Sequence, residues 1–448
     1  MVRTYVAYTN DTSILARAIP TLIKEHNFWM QNRTVNITGP DGNTYTLNQY
    51  HVENTQPRPE SYTEDYVTAN NHSYYATSGI IYPETKPLND SEIANLYANL
   101  ASGAESGWDY GSRYLARPND AAQDVYFPLR SLNVLNIVPL DLNSLLYKSE
   151  HNIALFLQAT GNASEADQWN SLAAQRRTAI HALMWNETLW SYFDYNLTSN
   201  GQNIYVPADQ DATAADTATA PAGYQVLFDV AQFYPFWTGA ATDELRRNPL
   251  AVRQAFARVD AYLAAKAGGI PATNLATGQQ WDQPNVWPPL MHVLMQSLLD
   301  TPATFGAADP SYAALQALAL RLAQRYLDMT FCTWYATGGS TSQTPKLQGL
   351  GPDAVGTMFE KYADNATNIA GSGGEYTVVE GFGWTNGVLI WAADTFGAQL
   401  TRPDCGNITA AHVTPGKRSL GVSRRAVELH PSDARWVKMF GSRAWRDA

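Results

Sequence analysis

Apolar residues recur with helical spacing along most of the chain, and this periodicity constrains the fold more than any other feature. The first periodic segment, 12–31, places its apolar residues on one face: Ile14, Leu15, Ala18, Ile19, Leu22 and Ile23. The other such segments are 143–159, 163–185, 250–266, 311–330 and 384–397. Strand-like alternation is scarce. The pattern therefore predicts an all-α fold.

Long loops rich in Gly, Pro, Asn and Asp separate these helices, and loops of that length in a compact domain are usually binding or catalytic. Residues 199–222 are low in complexity and are interpreted as a surface insertion. We expect the helical packing to extend over residues 1–400 and residues 401–448 to form a basic, poorly ordered tail.

The charge and cysteine content exclude several classes of protein. The net charge is −11, with +5 in residues 401–448 and −16 in the first 400 residues. An acidic body argues against a nucleic-acid partner. Cys332 and Cys405 are too few for a disulfide framework and fit no zinc site, although one bridge between them is possible. No apolar run is long enough to predict a transmembrane segment.

N-x-S/T sequons are frequent, which favours a secreted or extracellular-facing protein and a glycoprotein. They begin at Asn10, Asn32, Asn36, Asn71, Asn89, Asn162, Asn186, Asn196, Asn365 and Asn407. No signal peptide follows Met1. We therefore expect the natural N-terminus to lie upstream of this sequence.

Four loop segments combine carboxylates with aromatic residues and glycines. They are 56–65, 105–113, 280–289 and 359–387. Glycoside hydrolysis needs one protonated carboxyl group, which donates to the leaving oxygen, and one ionised carboxylate. A carboxyl group beside a Trp in a dry pocket has a raised pKa, which suits the acid role, and Asp109 follows Trp108.

Other residue types in these segments suit sugar binding. Arg58 and Arg113 could donate to sugar hydroxyls, and Trp281, Trp287 and Trp384 could line the pocket. Each residue also has a simpler interpretation. An Asp after Trp is more often a helix cap or an ion-paired group, and Glu64 and Asp65 more often cap or pair than catalyse. The eight His residues are scattered and indicate no site.

Taken together, the segments resemble the blocks of the trehalase family. QWDQPNVWPP at 280–289 is similar to a long family signature. RPESYTED at 58–65, ESGWDYGSR at 105–113 and GEYTVVEGFGWTNG at 374–387 are similar to further blocks in the family's order. The resemblance covers roughly residues 1–398.

The resemblance implies an (α/α)₆ toroid with the active site in its central well, and inverting hydrolysis of α,α-trehalose. It implies that Asp109 is the general acid and Glu360, in FEKY, the general base. The substrate-binding residues predicted from the motifs are Arg58, Pro59, Glu60, Gly107, Arg113, Trp281, Asp282, Trp287, Glu375 and Trp384. No metal and no organic cofactor are implied.

The sequence departs from the family pattern at its beginning. The family blocks PGGRFxExYxWDSY and RSQPP, which precede the region of resemblance, are absent. We therefore expect an incomplete toroid that lacks its N-terminal helices. Three functions remain open: an active trehalase in the intact protein, a catalytically inactive fragment or pseudoenzyme, and a related toroidal glucosidase acting on another α-glucoside.

Overall fold

The computed structural model describes residues 1–70, 87–116, 128–374 and 378–408. The helices in these ranges are α1 (Val2–Thr9), α2 (Leu15–Asn32), α3 (Tyr62–Asn70), α4 (Asp90–Ser106), α5 (Leu140–Ala159), α6 (Ala163–Met184), α7 (Ala214–Thr217), α8 (Tyr234–Thr238), α9 (Asp243–Arg246), α10 (Pro249–Ala255), α11 (Ala257–Ala265), α12 (Pro288–Leu299), α13 (Pro310–Ala336) and α14 (Gly383–Phe396). The six helical segments predicted from periodicity are confirmed, although the helix predicted over 250–266 is interrupted at Phe256.

The strands are short, and some of them pair with strands far along the chain. They are β1 (Thr34–Thr38), β2 (Thr44–Asn48), β3 (Ile137–Val138), β4 (Trp185–Asn186), β5 (Ser191–Tyr192), β6 (Tyr195–Asn196), β7 (Gly201–Gln202), β8 (Tyr205–Pro207), β9 (Tyr224–Val226), β10 (Asn285–Val286) and β11 (Tyr362–Ala363). Most of the sheets have two strands, and the strand pairs β1–β2, β3–β6, β4–β5, β6–β7, β8–β9 and β10–β11 are antiparallel. The pair β10–β11 joins the loop before α12 to the loop before α14.

The helices pack as a row with a second row against it. In the first row α2 contacts α5, α5 contacts α8, α8 contacts α12, and α12 contacts α14. Helix α6 packs against α5, and α13 packs against α10, α12 and α14. Helices α5 and α6 form a hairpin, because only residues 160–162 separate them. Buried apolar residues from both rows form one large core.

Local sequence signals explain where the longer helices begin. Helix α4 starts with a capping box, in which the Asn89 side chain accepts from the Glu92 N–H and the Glu92 carboxylate accepts from the Asn89 N–H. Helix α13 starts with Asp309 as the cap and Pro310 in the first turn, where a missing N–H costs nothing. These capped first turns fix the residue at which each preceding loop ends.

The segment predicted as a surface insertion is folded back onto the body. Asp216, within it, is buried and accepts hydrogen bonds from Thr213, Arg258 and Asn274.

The expected tail is described only as far as residue 408, so most of it lies outside the described residues. Cys405, near its start, forms a disulfide with Cys332 of α13, the bridge that the two cysteines allow. In the described ranges no helix is both long and apolar enough to cross a membrane.

Candidate active site

Helix α4 ends at the loop that carries Asp109. Gly107 has φ +73°, and its N–H donates to Ala104 O, so it closes the helix in the left-handed conformation that glycine adopts without strain. Trp108 follows and is buried, whereas Asp109 is half-buried. Trp108 and Asp109 are therefore the first two residues after the turn that ends the helix.

The surroundings of Asp109 favour its protonated form. Burial raises the pKa of Asp109 above its ordinary value, the direction that the neighbouring Trp108 predicts. The charges of Glu360 and Glu60 raise the pKa of Asp109 further, whereas Arg58 lowers it. All three side chains are therefore near enough to Asp109 to affect its charge, which places four of the predicted site residues together.

Arg58 and Glu60 reach this position from the loop between β2 and α3. Arg58 is buried and binds Asp65 through its main-chain N–H and through two guanidinium nitrogens at 2.7 and 2.9 Å. Its guanidinium lies 5.4 Å from the centre of the Tyr110 ring. Asp65 is thus an ion-pair partner, as its simpler interpretation predicted. Pro59 and Glu60 are exposed in the short turn that follows.

Glu360 lies in the loop before α14 and is held through its main chain. Its N–H donates to Val379 O at 2.9 Å, and its carbonyl accepts from Trp384 Nε1 at 2.8 Å. The Glu360 side chain is buried. Trp384, half-buried at the start of α14, thereby ties the predicted base to the beginning of a packed helix.

A row of four tryptophans links the loop of Asp109 to the loop of Glu360. The Trp108 and Trp281 ring centres are 4.8 Å apart, and those of Trp281 and Trp287 are 3.9 Å apart with nearly parallel planes. Trp384 meets Trp287 edge-on at 5.6 Å. Such stacked and edge-to-face contacts fix both distance and orientation. The row therefore connects the acid-bearing loop to the base-bearing loop through continuous ring contacts.

Segment 278–287, which we call the central segment, is bonded to both loops. On one side, Trp281 N–H donates to Tyr110 O at 3.0 Å, and the Gln280 amide donates to Asp109 O. On the other side, Asp364 N–H donates to Pro284 O at 2.8 Å, next to the β10–β11 pair. The central segment therefore lies between the acid-bearing and base-bearing loops and contacts each.

Asp282 of the central segment anchors the acid loop. Its carboxylate accepts from the Ser112 N–H, from the Ser112 hydroxyl at 2.6 Å and from Thr273 Oγ1 at 2.6 Å. Thr277 Oγ1 donates to it as well. Burial raises the pKa of Asp282 to about 6, and these hydrogen bonds act in the opposite direction.

Arg113 anchors the other end of the acid loop. It donates to Asp194 Oδ2 at 2.6 Å and to Asp141 Oδ1 at 2.7 Å, and it lies 3.2 Å from Asp229 Oδ2. Asp141 stands in the first turn of α5, where the helix dipole stabilises a carboxylate. Burial raises the pKa of Asp229 above its ordinary value. The loop is thus fixed to α5 and to the β5–β6 region.

Three of the predicted substrate-binding residues have no surface to offer a sugar. Asp282 is 0% exposed, and Arg113 and Trp287 are each 1% exposed. In this structure their side chains contact other residues of the site, and their binding of substrate stays a prediction. Their contacts are those of residues that hold the loops. Trp281 is nearly buried and Trp384 half-buried, and Glu375 lies outside the described residues.

Similarity to known proteins agrees with this arrangement. A family model described as Trehalase matches residues 1–397. The trehalase of Oryctolagus cuniculus is 33% identical over 403 residues, which are 90% of this chain and 56% of that protein. The trehalase of Dictyostelium discoideum is 32% identical over 411 residues, or 90% of this chain and 58% of that protein. The chain belongs to the trehalase family. It spans little more than half the length of these relatives.

A solved structure of the same family establishes the fold. The neutral trehalase from Saccharomyces cerevisiae aligns with a TM-score of 0.52 at 20% identity, covering 86% of this chain and 58% of that one. The prediction of an all-α fold of the (α/α)₆ toroid type is confirmed. The two rows of helices described above are the corresponding part of that toroid.

Sequence reasoning missed several residues that hold the site of this trehalase-family chain. Ser112, Thr273 and Thr277 bind Asp282, while Asp141 and Asp194 bind Arg113. Ser112 stands inside a family block, which is a usable signal. The others stand outside the blocks and become recognisable only when the chain is folded. In the part of the chain that the structure describes, no group of three or more His, Cys, Asp or Glu could hold a metal ion.

Asp282→Asn is expected to lower both stability and activity. The substituted amide presents an N–H₂ group to donors from Ser112 and Thr277, and unmatched buried donors cost about 1–3 kcal/mol. The acid loop then loses its fixed position, and catalysis at the candidate site should fall. Thermal unfolding and steady-state kinetics check both effects.

Asp216→Asn is the matched control for Asp282→Asn. Asp216 is similarly buried and also accepts several hydrogen bonds, one of them from the charged Arg258, but it stands in the 199–222 segment. The Asp216→Asn variant should be less stable than the unsubstituted protein but have the same kcat. An equal fall of kcat in both variants would show that Asp282 acts only through global stability.

Proposed function

We propose that the protein of which this chain forms part hydrolyses α,α-trehalose to two glucose molecules. The observation that carries the proposal is the half-buried Asp109, whose pKa is raised by burial and also by the charge of a second carboxyl group, that of Glu360. Two carboxyl groups with different environments are what glycoside hydrolysis requires. Membership in the trehalase family supports trehalose as the substrate.

The mechanism assigns one role to each carboxyl group. Asp109 donates its proton to the glycosidic oxygen as the bond from that oxygen to the anomeric carbon breaks. Glu360 takes a proton from a water molecule, whose oxygen bonds to the same anomeric carbon from the opposite face. Because the attack is on the opposite face, one glucose leaves as the β anomer and the other as the α anomer. An inverting enzyme needs about 6.5–9.5 Å between the two carboxyl groups, and we expect that spacing here.

The other predicted site residues divide into contact and support roles. Arg58, Glu60 and Gly107 are proposed to bind the sugar together with Pro59, Trp281, Trp384 and Glu375. For Arg58 and Glu60, the proposal is supported by the effect of their charges on the pKa of Asp109. No cofactor is proposed, because acid–base hydrolysis with water needs none.

The proposal is tested by incubating the purified protein with trehalose and, in parallel, with maltose. We expect glucose from trehalose, appearing initially as equal amounts of the two anomers in proton NMR spectra. Glucose from maltose alone would make the protein a glucosidase for another α-glucoside. No glucose from either substrate, with a folded protein, would favour the catalytically inactive alternative.

We further propose that the protein follows the secretory route. The Cys332–Cys405 disulfide supports this, because such bonds persist in oxidising compartments. Several sequon asparagines in the described ranges are exposed: Asn10, Asn32, Asn36, Asn89, Asn162, Asn365 and Asn407. Expression in a eukaryotic secretory host should give a product whose mass falls on treatment with an N-glycosidase. An unchanged mass would contradict the proposal.

A further inference from the structure

Lys361, next to the predicted base, is a fully buried lysine. It is 0% exposed, although lysine is among the residues least often buried. Its ammonium lies 5.3 Å from the centre of the Trp287 ring, on the row of tryptophans. Burying a charged group is costly unless its donors are used, so its contacts indicate what it does.

The Lys361 ammonium binds the main chain of residues 371–374, which we call the glycine segment. Nζ donates to Gly373 O at 3.1 Å and to Ser372 O at 3.3 Å. The main chain of Lys361 also accepts from Gly371 N–H at 2.9 Å. One residue thus binds three consecutive residues of the segment.

The glycine segment is held from its other side by the central segment. Asn285 Oδ1 accepts from Ser372 N–H at 2.8 Å, and Gly278 O accepts from Gly374 N–H at 3.1 Å. The approach is close: a Cβ atom on Gly371 would lie 2.6 Å from Asn285 Oδ1 and 2.8 Å from Lys361 Cγ. The glycine segment therefore fills the space between Lys361 and the central segment with little room to move.

The glycine segment also touches the residue that contacts Asp109. A Cβ atom on Gly374 would lie 2.7 Å from Gln280 Cβ, and the Gln280 amide donates to Asp109 O. At its other edge the segment binds Lys361, which follows Glu360 in the chain. A displacement of this segment would therefore reach both the predicted acid and the predicted base.

We propose that Lys361 is a positioning residue, whose ammonium fixes the glycine segment against the central segment and so fixes the relative placement of Asp109 and Glu360. The role proposed for Lys361 requires no contact with the leaving oxygen or the attacking water. Its kinetic part rests on the proposed hydrolysis of trehalose, whereas its structural part does not.

The first test is Lys361→Met, which keeps the length of the side chain and removes the donors. Hydrogen exchange at the amides of 371, 372 and 374 should accelerate at least about 10-fold, because the segment loses the two hydrogen bonds from Lys361 Nζ to Ser372 O and Gly373 O and can open more often. Exchange in α12 and α13 should stay unchanged. Burial lowers the pKa of Lys361 to about 8, so removing its charge offsets part of the loss of its two hydrogen bonds, and the melting temperature should change little.

Kinetics of the same variant separate positioning from general loss of structure. A misplacement of catalytic groups lowers kcat, and we expect a fall of roughly 10- to 100-fold with KM for trehalose within about 3-fold of the original. Lys361→Gln keeps an N–H donor group and should restore part of kcat and part of the exchange protection together.

Lys346→Met is the matched control. Lys346 Nζ also donates to two loop carbonyls, Gly351 O at 3.1 Å and Pro352 O at 3.2 Å, but it is half-buried, and these partners lie outside the glycine segment and are not adjacent to Glu360 in the chain. It should leave kcat unchanged. Unchanged exchange at 371–374 in Lys361→Met, or equal behaviour of the Met and Gln variants, would overturn the proposal. If the unsubstituted protein releases no glucose, the proposed function fails, and the exchange data still decide the role of Lys361.

Discussion

Asp109→Asn is expected to lower the rate of glucose release from trehalose by roughly 10²–10⁴-fold, the range that general acid catalysis contributes. Asparagine has nearly the same shape but carries no transferable proton. The hydrogen bond from Gln280 ends on the main-chain carbonyl of Asp109, so the substitution leaves it in place. Steady-state kinetics on trehalose measure the effect.

The same substitution should not destabilise the protein. Burial raises the pKa of Asp109, so its ionised form is disfavoured in the folded state, and a neutral side chain removes that cost. We expect a melting temperature equal to or above that of the unsubstituted protein. Asp328→Asn is the control, because Asp328 is also half-buried with a pKa raised by burial, but stands on α13. It should keep full activity. Full activity in Asp109→Asn would exclude Asp109 as the acid.

The pH dependence of the reaction follows from the same shift. The acid must be protonated, so the rate falls as the pH rises through the pKa of Asp109. Because burial raises that pKa, the alkaline limb of the rate profile should lie above the pH at which an exposed aspartate ionises. The Asp109→Asn variant should lack this limb in whatever activity remains.

Loss of the Cys332–Cys405 bridge is expected to have the largest effect on stability. The two residues are 73 positions apart, and closing a loop of that length stabilises a fold by about 4 kcal/mol in the chain-entropy account. The loop contains Glu360, Lys361 and α14, so the base-bearing part of the site depends on it. Denaturant unfolding with and without a reductant measures the effect.

Cys405→Ser isolates the cross-link from the packing around it. Cys332 is fully buried in α13, so its replacement would also disturb the core, whereas Cys405 is only half-buried. Cys405→Ser should match the reduced protein and should not respond to further reductant. Equal stability of the oxidised and reduced proteins would mean that the bridge contributes nothing to folding.

The sequence predicted the helices and the charged residues near Asp109 well, for a local physical reason. Helical periodicity depends only on residues that are close in sequence. Helices α5, α6 and α13 accordingly begin within three residues of the segments predicted. Arg58 and Glu60 stand in a family block, and their effects on Asp109 need only that this block face the acid loop.

The roles of Arg113 and Asp282 could not be predicted, because a motif does not say which way a side chain points. Both residues stand in blocks that suggest sugar contact, yet their partners Asp194 and Thr273 lie far along the chain. Burial of a charged side chain depends on such distant partners. The stacking of Trp287 on Trp281 is likewise a contact that the motif does not predict.

The contacts of the central segment also bear on the order in which the protein folds. Ser112 binds Asp282 across 170 residues, and seven of the fourteen helices in the described ranges lie within that interval. Closing so long a stretch of chain carries an entropic cost that only later packing repays. During synthesis the acid loop leaves the ribosome long before its partner exists. We therefore expect these contacts, and any activity that depends on them, to return late during refolding, after the helices have formed.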